Sequence, residues 1–214
     1  MSSFLRLASV AAGLSVASST FAAIIGVAGG SGAPSSTLGS FTMTPFANDT
    51  RSNGGLVSSS QTTPIGGVVG FSPSLTLTEI GDDWGTWSHG YTGDVYFSFG
   101  ESITLTLPAG TGAFYFYAEP NAFGTFNITA TSGGVPVAQL TAGDSGANYF
   151  GFYGTGGDTI SSIVVTFAQG AGGGAVGEFG IAASGASGVP DGGSSVAFFG
   201  LAVLALTSLR RRLG

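Results

Sequence analysis

The sequence predicts an all-β fold: a single antiparallel β-sandwich or jelly-roll-like domain over residues 23–183, flanked by two apolar termini. Three observations carry this. Short apolar runs with period two recur along the chain, as half-buried strands require. Glycine- and aspartate-rich turn signals separate them. Between residues 38 and 181 no stretch shows the one-sided periodicity of an amphipathic helix.

The strand runs follow in order from about Leu38. Ser74-Leu75-Thr76-Leu77-Thr78 and Ser102-Ile103-Thr104-Leu105-Thr106-Leu107 alternate apolar residues with threonine or serine. Val95-Tyr96-Phe97-Ser98-Phe99, Phe114-Tyr115-Phe116-Tyr117, Phe126-Asn127-Ile128-Thr129 and Val135-Pro136-Val137 add aromatic and β-branched runs. Tyr149-Phe150-Gly151-Phe152-Tyr153 and Ile163-Val164-Val165-Thr166-Phe167 continue them, and Phe179-Gly180-Ile181 closes the last. Turns are marked by Pro108-Ala109-Gly110, Ser132-Gly133-Gly134, Gly143-Asp144-Ser145-Gly146 and Gly156-Gly157-Asp158. About 160 residues suffice for one hydrophobic core, and the seventeen phenylalanines, mostly on strands, supply it. Two segments rich in glycine, alanine and serine differ: residues 24–36, and residues 170–188, which read as a tether from Ala182 onward with 184–188 as the linker.

Charged residues make up only 7% of the chain, against roughly 25% in an average soluble protein, so solubility rests on Ser, Thr, Asn and Gly. There is no lysine, and in the central region ten acidic residues face the single Arg51. Nucleic acid is excluded as a partner, since binding it needs neutralising cations on the protein. No cofactor is indicated; calcium remains open. The absence of cysteine rules out a disulfide-stapled scaffold.

Residues 1–22 read as a secretory signal peptide: Arg6, an apolar stretch, then Thr20-Phe21-Ala22 with small residues before a cut between Ala22 and Ala23. At the other end, residues 194–209 carry no charge and precede Arg210-Arg211-Arg212. As a helix these sixteen residues span ~24 Å, short of a ~30 Å hydrocarbon core. The three arginines make up the difference by reaching back to the headgroups, and place the C-terminus in the cytoplasm with everything before it outside. The signal peptide demands the same topology.

Val189-Pro190-Asp191-Gly192-Gly193, followed by the apolar segment and the arginine cluster, resembles a PEP-CTERM protein-sorting domain in a variant whose signature is VPDGG. The resemblance implies an exosortase-type processing enzyme as partner and transient residence in the inner membrane of a Gram-negative bacterium. Release to the outer surface or extracellular matrix follows. Residues 114–181 also resemble a β-sandwich region recurrent among exported PEP-CTERM proteins, through Phe116-Tyr117-Ala118-Glu119-Pro120, Tyr149-Phe150-Gly151-Phe152-Tyr153 and Gly177-Glu178-Phe179-Gly180-Ile181. That likeness implies a fold and no activity.

Residues 81–94 form the densest constellation. They hold Trp84, Trp87, His89, Asp82, Asp83 and Asp94 in a loop setting. Indole faces beside carboxylates suit a polysaccharide, and the oxygens suit calcium. The competing reading has the tryptophans plugging the end of the sandwich with the aspartates in water. Gly143-Asp144-Ser145-Gly146 matches a serine-protease motif, but the lone histidine lacks the context a triad needs, and a turn explains it better. Glu101, Glu119 and Glu178 read as isolated, solvated strand-end glutamates. The chain therefore reads as a non-enzymatic, exported envelope or matrix protein. Its alternatives are a glycoside-acting hydrolase with the same tail, and a permanently membrane-anchored surface protein.

Overall fold

The computed structural model describes residues 23–51, 56–144 and 146–185. Among them there is no helix, and the strands run β1 (Ala23–Gly30), β2 (Thr37–Leu38), β3 (Phe41–Thr42), β4 (Thr44–Pro45), β5 (Leu56–Thr62), β6 (Val68–Glu79), β7 (Asp94–Ser98), β8 (Ser102–Thr106), β9 (Thr111–Pro120), β10 (Thr125–Ser132), β11 (Val135–Ala142), β12 (Asn148–Thr155), β13 (Ser162–Phe167) and β14 (Gly174–Ala183). The main sheet has the order β1-β12-β9-β14-β7-β6-β8-β13-β10-β11, with β4 beside β14 and β5 beside β6; β2 and β3 pair separately. Every strand pairing is antiparallel. The fold is all-β, and sandwich- or barrel-like.

One strand folds the sheet over. The C-terminal half of β6 pairs Thr76–Glu79 with β7, while its N-terminal half pairs Gly70–Ser72 with β8. The cis Ser72-Pro73 bond lies between the two halves. A strand that serves two layers makes the corner of a sandwich. At the far ends, the Gln139 side chain of β11 reaches both β1 and β12: Gly30 N donates to Gln139 Oε1 at 3.2 Å, and Gln139 Nε2 donates to the Tyr149 carbonyl at 2.6 Å.

The two layers differ in how they meet water. In β8, β13 and β10 the apolar residues alternate inward with outward threonines, so one face is solvated. The layer β12-β9-β14-β7 is covered on both faces, and all ten residues of β9 are buried. In β9 and β12 the period-two pattern separates two kinds of aromatic ring. Phe114, Phe116, Phe150 and Phe152 enter the dry core between layers with Leu75, Ile103, Val165 and Phe167. Tyr115, Tyr117 and Tyr149 enter a second core on the outer face with Trp84, Trp87, Leu38 and Phe41. Phenyl rings need no polar partner, whereas buried tyrosines keep a hydroxyl to satisfy. The second core is roofed by the segment carrying β2 and β3 and by loop 80–93.

Glycine on strands makes room for these rings. An added Cβ at Gly29 would lie 2.7 Å from Tyr149 Cδ1, and one at Gly151 2.8 Å from Tyr149 Cε1. At the β10–β11 hairpin Gly133 and Gly134 both adopt positive φ, 54° and 80°, as a two-residue primed turn requires.

Several readings of the sequence change. The segment 24–36, set apart by composition, begins within strand β1 (Ala23–Gly30). Residues 56–62 form the edge strand β5. Ala182 and Ala183 are not tether: they end β14, paired with Ala113 and Thr111, and Ser184 N still donates to the Gly110 carbonyl at 2.6 Å. The expected signal peptide, the motif at 189–193, the apolar segment 194–209 and Arg210–Arg212 lie outside the described residues. Among those described, no helix is long and apolar enough to cross a membrane.

Candidate functional site

The loop carrying both tryptophans is pinned to the outer face of the covered layer by two glutamates, Glu119 buried and Glu178 half-buried. Glu119 faces outward by simple alternation in β9, following Tyr115 and Tyr117. Glu178 arrives there by a different device. Between Gly177 and Gly180, β14 spends one residue more than its partner β9. This bulge leaves Glu178 at φ 51°. The extra residue keeps Val176, Phe179 and Ile181 pointing into the dry core while the Glu178 carboxylate emerges under the loop.

Each glutamate receives one indole. Trp84 Nε1 donates to Glu119 Oε2 at 2.9 Å, and Trp87 Nε1 donates to Glu178 Oε2 at 3.1 Å. Glu119, fully buried, also accepts from Thr86 Oγ1 at 3.1 Å and Gly146 N at 3.2 Å, both at Oε1. His89 sets Nε2 2.7 Å from Glu178 Oε1, and its Nδ1 lies 3.0 Å from Ser88 Oγ and 3.2 Å from the Ser31 carbonyl. The histidine thus ties loop 80–93, the bulge and the segment after β1 at one point. His89 also has positive φ, 40°. Two non-glycine residues held in the left-handed region and facing each other signal a locally over-determined structure.

Burial is the first cause of the electrostatics here. It raises the Glu178 carboxyl above the usual range, opposed by the hydrogen bonds from His89 and Trp87. It raises Asp94 as well, against the backbone N–H of Asp49 at 2.6 Å. The Tyr115 hydroxyl is pushed up to about 12 by burial and then by the Glu178 charge, so it stays a neutral donor. Next to Asp94, the Arg51 guanidinium holds Asp49 down at about 2, with the Tyr96 hydroxyl donating to Asp49 Oδ2 at 2.7 Å.

The sequence-derived candidates separate accordingly. Trp84 and Trp87 are 8% and 6% exposed, against Phe97 and Tyr91 respectively, so their ring faces and N–H groups are engaged within the protein. Asp82 and Asp83 are exposed, whereas Asp94 is buried at the start of β7. Among the described residues no group of three or more His, Asp or Glu comes together to hold a metal ion. Glu101 is exposed as expected. Glu119 and Glu178 are corrected from solvated strand ends to anchors of the loop, the first buried and the second half-buried, because the layer they sit on is roofed. Their partners Trp84 and Trp87 stand 35 and 91 residues away, so no local pattern announced them. Ser145 of the protease-like motif lies outside the described residues, and the adjoining Gly146 N serves Glu119.

A hollow opens beside this site. It encloses about 270 Å³ and is lined by Asn48, Gln61, Tyr91, Asp94, Tyr115 and Glu178, among others.

Among curated proteins none matches this chain. Residues 188–213 match the family model described as VPDSG-CTERM motif, with Gly192 standing where that description has serine. The chain accordingly ends in a PEP-CTERM-like sorting tail.

Proposed function

We propose that this protein is a non-enzymatic β-sandwich delivered across the inner membrane of a Gram-negative bacterium and held there briefly by residues 194–209. An exosortase-type enzyme then transfers it to the envelope or an extracellular polysaccharide matrix. The carrying observation is the sorting tail at residues 188–213, which in general implies membrane processing and a surface destination. The fold supports the reading: β14 ends at Ala183 and Ser184 is still hydrogen-bonded to the domain, so few residues separate the folded body from Val189. The non-enzymatic part is supported by Glu119 and Glu178, whose carboxylate oxygens accept indole N–H groups from the loop.

The test is a variant with Val189 and Pro190 both replaced by alanine, expressed in its native host and followed by cell fractionation. The reading predicts that wild type distributes to the surface or medium while the variant accumulates in the inner membrane at unprocessed size. Equal distribution of both would contradict it.

A further inference from the structure

The outer face of β12 carries a groove that neither the tail nor the two indole–glutamate anchors explain. Tyr149, Gly151 and Tyr153 share that face by alternation, and the glycine leaves a gap between the two rings. The segment from Gly32 to Gly39 forms the facing wall, and Tyr117 of β9 joins the floor. The groove encloses about 350 Å³.

Its tyrosine hydroxyls are available. Tyr149 is only 6% exposed, yet among the described residues its hydroxyl makes no hydrogen bond; the bond from Gln139 goes to its main-chain carbonyl. The one sealed side-chain polar atom without a partner among the described residues is Gln61 Oε1. The Tyr149 hydroxyl is therefore not sealed, and it opens into the groove that its ring lines. Tyr153, half-buried, also has a hydroxyl without a partner among the described residues. Tyr117 differs, since its hydroxyl donates to the Gly32 carbonyl and ties the facing wall to the sheet.

The Tyr149 ring is held in this pose. Tyr115 stacks on it at 5.2 Å and Tyr117 meets it edge-on at 5.5 Å. Glycine gives the clearance: an added Cβ at Gly151 would lie 2.8 Å from the Tyr149 hydroxyl, and one at Gly39 2.6 Å from the Tyr153 ring. A hydroxyl fixed beforehand costs an incoming ligand little ordering. Burial raises the Tyr149 hydroxyl well above its ordinary range, so it stays protonated and both donates and accepts.

The rim repeats this chemistry. Ser35 Oγ and Thr37 Oγ1, 3.4 Å apart, add two more hydroxyls, and Leu38 adds apolar wall. No charged side chain lines the groove, although the chain carries a net charge of −6. An ionic ligand would lose water there without gaining a counter-charge. A wholly apolar one would leave the Tyr149 hydroxyl dry and unpaired. The matching ligand has an apolar C–H face for a tyrosine ring and hydroxyls that, like these, donate and accept. The volume lies at the small end of the ~300–1,000 Å³ of ligand pockets, room for a sugar-sized ring.

We infer that this groove binds a neutral hexopyranose unit, its C–H face on Tyr153 and a ring hydroxyl exchanging hydrogen bonds with the Tyr149 hydroxyl. The inference goes beyond the sorting reading and stands apart from it: tail processing can fail while the groove binds, and the reverse.

The test is saturation-transfer NMR on the full chain, in a detergent without a sugar headgroup. The probes are methyl glucoside, methyl galactoside and methyl mannoside, in parallel with glucuronate, glucosamine hydrochloride and phenol. Saturable binding of at least one methyl glycoside is expected, with both charged sugars and phenol several-fold weaker. Tyr149→Phe keeps the ring and weakens that glycoside about three- to tenfold, the worth of one hydrogen bond. Gly32 has no positive φ, and an added Cβ there meets nothing within 4 Å, so Gly32→Phe obstructs the groove without strain and abolishes binding. Both variants keep a cooperative melt. No saturable response to any of the three glycosides from a cooperatively melting protein would overturn the inference. So would glycoside binding that either variant leaves unchanged, or phenol, glucuronate or glucosamine binding as tightly as the glycosides.

Discussion

Removing the Glu119 carboxylate should loosen the whole outer roof, and the size of the effect follows from its partners. Glu119→Ala strips the acceptor from Trp84 Nε1, Thr86 Oγ1 and Gly146 N at once. Hydrogen bonds to a charged acceptor contribute about 1.5–3 kcal/mol each, and an orphaned buried donor costs about 1–3 kcal/mol. Thr86 is half-buried and can turn toward water, so the indole and the backbone N–H dominate. Release of a buried charge from a low-dielectric site offsets part of the loss. The balance is a destabilisation of about 3–4 kcal/mol, equivalent to a fall in Tm of about 6–16 °C for a domain this size. Trp84→Phe removes only one bond and should cost about 1.5–3 kcal/mol. In a double-mutant cycle the two substitutions should couple by more than about 1 kcal/mol, because they share that bond. Thermal denaturation monitored at the near-UV tryptophan signal is the assay. A Glu119→Ala protein melting within about 2 °C of wild type would refute the anchoring argument.

Three further outcomes follow. Gly180→Ala places a Cβ 2.7 Å from the Tyr115 hydroxyl and closer still to its ring; overpacking of this kind costs about 1–3 kcal/mol, read as a lowered urea midpoint. Asp49, held at about 2 against an ordinary 3.8, binds its proton less readily when folded. Its stabilising contribution is in place above about pH 4 and is lost as pH falls through about 2. Asp94 and Glu178 act oppositely: their raised carboxyls favour the fold when protonated, a contribution lost as pH rises. Asp49→Asn should therefore flatten the acid limb of a Tm-against-pH curve between pH 4 and 2. Gln61→Met removes the orphan Oε1 together with the bond from its Nε2 to the Ala47 carbonyl; Ala47 is exposed and its carbonyl can turn to water, so the domain should stay within about 1 kcal/mol of wild type, measured by chemical denaturation.

The alternation Phe114-Tyr115-Phe116-Tyr117 was visible as a strand because period two is a local property. Its deeper meaning was not, since the phenylalanines and tyrosines of β9 and β12 divide between two cores only once the outer face is roofed. β1 was obscured by its glycines, whose strand propensity is low; two of them, Gly26 and Gly29, are the condition for close packing under Phe152 and Tyr149. β5 was missed because Ser58, Ser59 and Ser60 lack the apolar signature of a strand, and edge strands can lack it. The tryptophan-rich loop stood out by composition, and the reading that had its indoles plugging the structure agrees with their burial. What holds them did not stand out. Glu119 was one isolated acid among several, and Glu178 depends on a bulge whose sequence mark is only Gly177 and Gly180 on either side. The sorting tail was legible because its order of motif, apolar run and arginines is contiguous.

The most direct measurement is the intact mass of the protein recovered from the surface or medium of its native host. The account predicts a species beginning at Ala23 and lacking Arg210, Arg211 and Arg212. A surface-recovered protein that retains those three arginines would contradict processing at the tail.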